Sequence, residues 1–370
     1  MKKQGAGFLT VFCIFALSTE TCAQNISPPP EHPFKKQEMQ YSGPPAPSLE
    51  KLDTAGNPLP ESAVSWVMVR DNVTGLVWEA KEAGDGIQDY TNPHDADNTY
   101  TWCDTDTNNN RGFQGTCGTA DTAGFLAALN SGSGFAGHND WRLPTIQELE
   151  TLVDFSRNNP AINPIYFPKN VSSFYWASST YAGNASYAWF VNFKAGNPDS
   201  YNKSDMHYVR AVRGGRVSPE NRFVVNPDGT VTDTATCLQW QRATADIDGN
   251  GRPDQMTLQS ALAYAGNLSL GGHEDWRVPD INELSSIVDF GCYRPAINTT
   301  NFHSTMEHNY WSSTSSAVNK GNLWSVTFYN GYTYDQDKYK KNYLRVVRGG
   351  KCENLGTNHF VVVPRPDSPL

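Results

Sequence analysis

Apolar positions along this chain fall into two kinds of run, and both kinds occur twice in the same order. One kind has helical spacing. Ile146, Leu149, Leu152 and Val153 share a face, as do Ile281, Leu284, Ile287 and Val288. Ahead of each face stands the pattern of a capping box, Thr145-x-x-Glu148 and Asp280-x-x-Glu283, in which the cap oxygen accepts an orphan amide and the glutamate reaches back. Pro144 and Pro279 keep the residue before them extended, so a helix is predicted to open after each cap. A second helix is predicted upstream in each half, over 122–129 and over 257–268. The other kind of run is β-rich. Three stretches in each half, 174–179, 188–193 and 208–213, then 310–313, 323–328 and 343–348, are separated by Gly, Asn and Asp turns and predict a meander. Each half also opens on a small antiparallel element. In the first, Trp66-Val67-Met68-Val69 and Leu76-Val77-Trp78 flank Asp71-Asn72. In the second, 222–225 and 230–233 flank the turn Asn226-Pro227-Asp228-Gly229, and Leu238-Gln239-Trp240 follows.

The recurrence is an internal duplication. Gly137-His138-Asn139-Asp140-Trp141-Arg142-Leu143-Pro144 returns as Gly272-His273-Glu274-Asp275-Trp276-Arg277-Val278-Pro279. The copies then stay in register without a gap. Tyr175-Trp176 answers Tyr310-Trp311, Trp189 answers Trp324, and Arg210-Ala211-Val212-Arg213-Gly214-Gly215 answers Arg345-Val346-Val347-Arg348-Gly349-Gly350. Two domains are expected, 62–216 and 217–352, with a tail over 353–370. Trp78 to Trp141 spans 63 positions and Trp240 to Trp276 spans 36, so the first domain carries an insertion.

Composition narrows the class. Charged residues make up 18% and aromatics 12% of 370 residues, which suits turn-rich β structure more than a helical bundle. The formal net charge of -9 argues against a nucleic-acid or anionic-membrane binder, because such proteins draw their affinity from clustered Lys and Arg. Met1-Lys2-Lys3, the apolar run Phe8 to Leu17 and Thr21-Cys22-Ala23 have the three parts of a signal peptide, 1–23, which predicts export to the periplasm, cell surface or medium. That run is too short for a good membrane span. Lipid attachment at Cys22 is the alternative form of the same targeting. Residues 24–61 are rich in proline and poor in apolar periodicity, and read as an exposed tether.

The cysteines follow from export and from the comparison of copies. Cys103 and Cys117 lie in the polar insertion of the first copy, where a local disulfide is the economical reading. Cys292 and Cys352 occur only in the second copy, which makes them each other's simplest partners. Cys237, in the place of Gly75, is then left as a free thiol, with an exchange of partners open because connectivity does not follow from sequence.

Candidate chemistry is sparse. Asp246-x-Asp248-x-Asn250-Gly251-x-x-Asp254 has the alternating oxygen donors and sixth-place glycine of a calcium loop, with Thr257 where a glutamate would complete it. Asp104-x-Asp106-x-Asn108 in the insertion is a weaker version. His138 and His273 recur two residues before an aspartate. No second matched His or Cys joins them, so a hydrogen-bonded turn is expected rather than zinc or catalysis. Arg142, Arg210 and Arg213, with Arg277, Arg345 and Arg348, recur beside Asp140 and Glu148, with Asp275 and Glu283, and are expected to form half-buried ion pairs that fix strand to helix. Together with Trp141 and Trp276 these are structural residues. The serines have no spaced His/Asp framework of a hydrolase.

Asp-Trp-Arg-Leu/Val-Pro-x-x-x-Glu-Leu, Tyr-Trp-x-Ser and the terminal Arg-x-Val-Arg-Gly-Gly together resemble the bacterial family named for the C-terminal domain of the Legionella collagen-like adhesin, over about 62–216 and 222–352. The resemblance implies an α+β fold of two tandem C-type-lectin-like domains, related to formylglycine-generating enzymes, each with about two helices and a twisted, mainly antiparallel sheet. The named adhesin binds sulfated glycosaminoglycans through basic surface. This chain is acidic and has only the short run Lys338-Tyr339-Lys340-Lys341. The copper-binding cysteine pair of the enzymes is missing from both copies, which argues against an enzyme. The expected function is that of an exported, non-enzymatic binding or adhesion protein for a glycan or protein ligand, with calcium as the candidate cofactor. An envelope or assembly component without a small ligand is the alternative. Exposed aromatic side chains would favour the first.

Overall fold

The computed structural model describes residues 48–82, 84–215 and 222–350. In chain order the first copy contains β1 (Leu49–Leu52), β2 (Pro58–Leu59), β3 (Met68–Asp71), β4 (Leu76–Glu79), α1 (Thr107–Asn110), α2 (Thr122–Leu129), α3 (Ile146–Glu150), β5 (Phe174–Thr180), β6 (Tyr187–Asn192), β7 (Asn197–Asn202) and β8 (Val212–Gly214). The second contains β9 (Phe223–Val225), β10 (Thr230–Asp233), β11 (Leu238–Gln241), α4 (Leu258–Asn267), α5 (Ile281–Ser286), β12 (Asn309–Ser315), β13 (Asn322–Thr327), β14 (Thr333–Asp337) and β15 (Val347–Gly349). The architecture is α+β, with antiparallel sheets and short helices. Among the described residues no helix is long and apolar enough to cross a membrane.

Both capping boxes form. Thr145 accepts from the Glu148 amide while Glu148 accepts from the Thr145 amide, and Asp280 and Glu283 repeat the exchange. The helices they open carry Ile146 and Leu149, or Ile281 and Leu284, into the core with no exposure.

Each copy builds two sheets. One is a three-stranded meander, β5-β6-β7 or β12-β13-β14. Its third strand differs from the expected one. Residues 197–202 and 333–337 supply it, polar stretches that read as turns, because only one side of the strand is buried. The apolar run expected there leaves the meander after one parallel bridge, Tyr175 to Tyr208 or Tyr310 to Tyr343, and ends as β8 or β15 on the opening hairpin. That places the last strand of each copy in the same sheet as its first, beside β4 or β11, in the orders β2-β1-β3-β4-β8 and β15-β11-β10-β9.

The expected tether ends too late. Residues 49–59 belong to the first copy, with β1 paired to β3 along its whole length, as β9 pairs with β10 in the second. Fifteen residues between β1 and β3 stand where the second copy has a four-residue turn, and the prolines of that longer connection hid the strand. The segments expected as a signal peptide and as most of the tether, with Cys22, Cys352 and the expected tail, lie outside the described residues.

The disulfide between Cys103 and Cys117 closes the insertion. The pairing of Cys292 is a correction. Cys292 is an exposed free thiol donating to Asp289 Oδ2 at 3.1 Å, whereas Cys237 is disulfide-bonded. The reason lies in the topology: the β10–β11 turn, not the end of α5, meets the last strand, with the Gly350 amide on the Cys237 carbonyl at 3.2 Å.

One hydrophobic core contains residues of both copies. Trp189 packs edge-on to Phe290 at 4.8 Å, and the equivalent Trp324 packs edge-on to Phe155 at 5.3 Å. The copies therefore face each other as a two-fold pair within a single chain. Smaller cores, around Trp102 and Trp176 in the first copy and Trp276 and Trp311 in the second, flank the shared one.

Candidate functional site

The duplicated motif is structural. Arg142 grips Glu148 with two bonds of 2.7 Å, tying the motif to the start of α3, and Arg277 grips Glu283 at 2.6 and 2.5 Å. Arg213 reaches Asp140 at 2.7 Å and Arg348 reaches Asp275 at 2.6 Å, fastening β8 and β15 to the motif. Trp141 and Trp276 are buried, and their indoles donate to the carbonyls of Phe135 and of Leu270 and His273. The backbones of His138 and His273 close that turn. Arg210 and Arg345 depart from the expected ion pairs. Both are buried, with guanidiniums on the backbone carbonyls of Glu79 and of Gln241 and Arg242.

In the second copy, oxygens of Asp246, Asp248 and Asp254 lie within 4.8 Å of one another. The loop's own amides already bond to them: Gly249 and Gly251 donate to Asp246, Asn250 to Asp248, and Ile247 to Asp254, while Asn250 turns its side-chain oxygen to the Arg252 amide. In the insertion, the Asp106 amide donates to Asp104 at 2.8 Å and the Asn109 side chain donates to Asp104 at 3.2 Å, closing a turn ahead of α1. The side chain of Asn108 lies outside the described residues. Lys203, fully buried, holds the insertion to the meander through the Phe113 carbonyl at 2.7 Å and the Thr180 hydroxyl at 3.0 Å.

A cleft of about 410 Å³ opens in the first copy between the end of β4 and the loop before β5. Its walls include Trp66, Lys81, Tyr166, Phe167, Lys169 and Arg210. Lys51 sits under Trp66 at 3.7 Å, and the indole donates to the Tyr166 carbonyl at 3.0 Å. Lys81 is paired with Glu79 at 3.0 Å. Glu79 is fully buried, which opposes its charge, yet Lys81 and His94 hold its carboxyl down at about 2. Arg210 lies over the Phe167 ring at 4.6 Å.

The second copy shows why the cleft is open. Ala80 bonds through its amide to the Val67 carbonyl, and its equivalent, Arg242, bonds the same way to Gly229. From there the Arg242 guanidinium reaches the carbonyls of Thr300 at 3.1 Å and Asn301 at 3.4 Å. Those residues are the counterparts of Ile165 and Tyr166, so an arginine side chain spans in one copy the space that alanine leaves open in the other. Lys81 and Lys169 likewise replace Ala243 and Ser304. No single motif marks these positions. The signal was the contrast between aligned copies, readable once 76–82 is set against 238–244.

Where the copies meet, Tyr181, Tyr293, Tyr329 and Tyr332 form a run of ring contacts beside Trp189. Tyr293 is 37% and the neighbouring Tyr334 43% exposed. Nine of the ten tryptophans are buried, and the exposed aromatic side chains among the described residues are tyrosines and Phe113.

No curated protein matches the chain at a significant level. The family model of the Lcl C-terminal domain matches residues 67–213 and again 229–348, and the chain belongs to that family through two tandem copies of the domain.

Proposed function

We propose that this is an exported, non-enzymatic binding protein of the adhesion type, and that its first copy takes a glycan or protein ligand in the cleft beside Trp66. The observation that carries this reading is the contrast between Ala80 and Arg242: one copy has lost the side chain that fills the space in the other and has gained lysines at its walls. A pocket with an apolar lining and a few convergent polar groups is the usual form of a ligand site. Trp66 and Tyr166 offer ring faces, while the exposed Lys169 suits an acidic group on the ligand. The family, that of a bacterial adhesin-like domain, agrees with such a role. A C-type-lectin-like fold is part of the same proposal, as is export by the segment 1–23. Calcium at the 246–254 loop is the cofactor this reading would take.

The test is Ala80→Arg, which copies into the first copy the arginine of the second. Binding to the acidic glycans and envelope proteins of an array is expected to fall to background, with the melting temperature kept within a few degrees, roughly the span of 1 kcal/mol. Undiminished binding by the variant would move the site elsewhere.

A structural role without a small ligand draws on a different observation, the burial of the tryptophans shared by both copies. It predicts that Ala80→Arg changes no binding because there is none.

A further inference from the structure

The two seams along which the copies meet occupy equivalent places in the fold, yet they differ in chemistry. The first lies beside the Trp189–Phe290 contact and the second beside Trp324–Phe155. At the second seam the positions equivalent to Tyr181, Tyr293, Tyr329 and Tyr332 are Ser316, Asn158, Lys194 and Asn197. That seam is closed by small polar groups, with the Asn158 side chain donating to the Ala317 carbonyl at 3.0 Å and Ser316 to Asp335 at 3.3 Å. Both seams are joined by a Trp–Phe pair, but joining the copies does not require tyrosines at these four positions, although Tyr181 and Tyr332 also pack against the shared core.

Their arrangement is that of a shelf. Tyr181 meets Tyr293 edge-on at 5.9 Å and Tyr332 at 6.1 Å, and Tyr332 continues to Tyr334 at 6.3 Å, so rings from both copies lead from the half-buried Tyr181 and Tyr332 out to the exposed Tyr293 and Tyr334. The phenols add polar edges. The Tyr293 hydroxyl donates to the Tyr329 hydroxyl at 2.8 Å, and Tyr332 shares a bond of 2.6 Å with Ser200. The nearby cations are occupied: Arg294 pairs with Glu307 at 3.1 Å and lies over the Tyr329 ring at 5.1 Å, and Arg111 donates to the Gly291 carbonyl at 2.6 Å. The exposed rings of Tyr293 and Tyr334, edged by hydroxyls and without a spare cation, fit an uncharged ring that carries hydroxyl groups.

We propose that the tyrosine shelf formed jointly by the two copies is a second binding site, for uncharged sugar rings. Each sugar stacks a C–H face on a tyrosine ring and exchanges hydrogen bonds with the phenols. The site is separate from the cleft, so the two readings fail independently.

The experiment titrates the full chain with cellobiose, chitobiose, maltose and mannobiose up to on the order of 10 mM, a range that reaches weak single-site affinities. Tryptophan fluorescence follows binding, since Trp189 lies 5.0 Å from Tyr332. The test variant is the double substitution Tyr181→Ser with Tyr293→Asn, which installs the residues that the other seam already accommodates. A melting curve checks its fold, and Tyr293→Asn alone serves if the double variant melts early. At least one disaccharide is expected to bind the unaltered chain, to bind the seam variant about tenfold more weakly or worse, and to bind Ala80→Arg unchanged. Equal binding to the seam variant, or no binding of any of the four sugars to the unaltered chain, overturns the shelf. Loss on Ala80→Arg alone assigns the sugar to the cleft, which overturns the shelf and leaves the proposed function standing.

Discussion

Glu150, the last residue of α3, is 9% exposed, and its Oε1 has no hydrogen-bond partner among the described residues. The second copy has Ser285 at this position. Burial pushes the Glu150 carboxyl from its ordinary 4.5 up to about 8. The folded chain therefore holds a proton that the unfolded chain releases between those values. A raised carboxyl pKa means that the contribution of Glu150 to stability is fully present below pH 4.5 and is lost as pH rises toward 8. Glu150→Gln removes the proton exchange and keeps the shape. From pH 4.5 to 8, urea denaturation is expected to show the unaltered chain losing up to roughly 4 kcal/mol relative to Glu150→Gln. Parallel pH profiles for the two proteins would show that Glu150 ionises without cost.

At the scale of elements, the capping boxes illustrate what local chemistry fixes. Thr145 accepts from the Glu148 amide at 3.2 Å, and Glu148 returns a bond of 2.8 Å while also holding Arg142. Thr145→Ala is expected to cost about 1 kcal/mol in a denaturation curve, and a smaller loss would mean that the Arg142 grip suffices to start the helix. These elements were legible because their signals lie within a few residues of one another. β1 and β7 were not. Leu49 and Leu52 are two apolar positions in a proline-rich stretch, and Asn197-Pro198-Asp199 reads as a turn until the Trp189 strand beside it supplies the ladder. The same limit applied to the sites. The Asp246 to Asp254 spacing was visible in one pass, whereas the cleft depends on Ala80, a residue with no chemistry of its own whose meaning comes from Arg242 in the other copy. Cys237 was favoured as a free thiol, with an exchange of partners left open, for a related reason, since its setting is made by Gly349 and Gly350 across a sheet.

For the whole molecule, the consequence of the duplication is mechanical as well as historical. Two domains on a flexible link would unfold separately, each with its own core. Here Phe155, Trp189, Phe290 and Trp324 are buried between the copies and belong to one continuous core, so neither half can lose its structure without exposing apolar surface of the other. Burying aromatic area of this kind is worth several kcal/mol, enough to couple the two transitions. Trp324→Ala, made in the second copy, is expected to destabilise the chain by about 3–5 kcal/mol. Its effect should cross the seam, since the ring it removes rests on Phe155, a few residues past α3 in the first copy. Hydrogen exchange read across the chain distinguishes the cases: faster exchange at the amides of Leu149 and Val153 in the variant marks one cooperative unit. Exchange accelerated only within 222–350 would mean that the copies fold as neighbours and share a surface rather than a core.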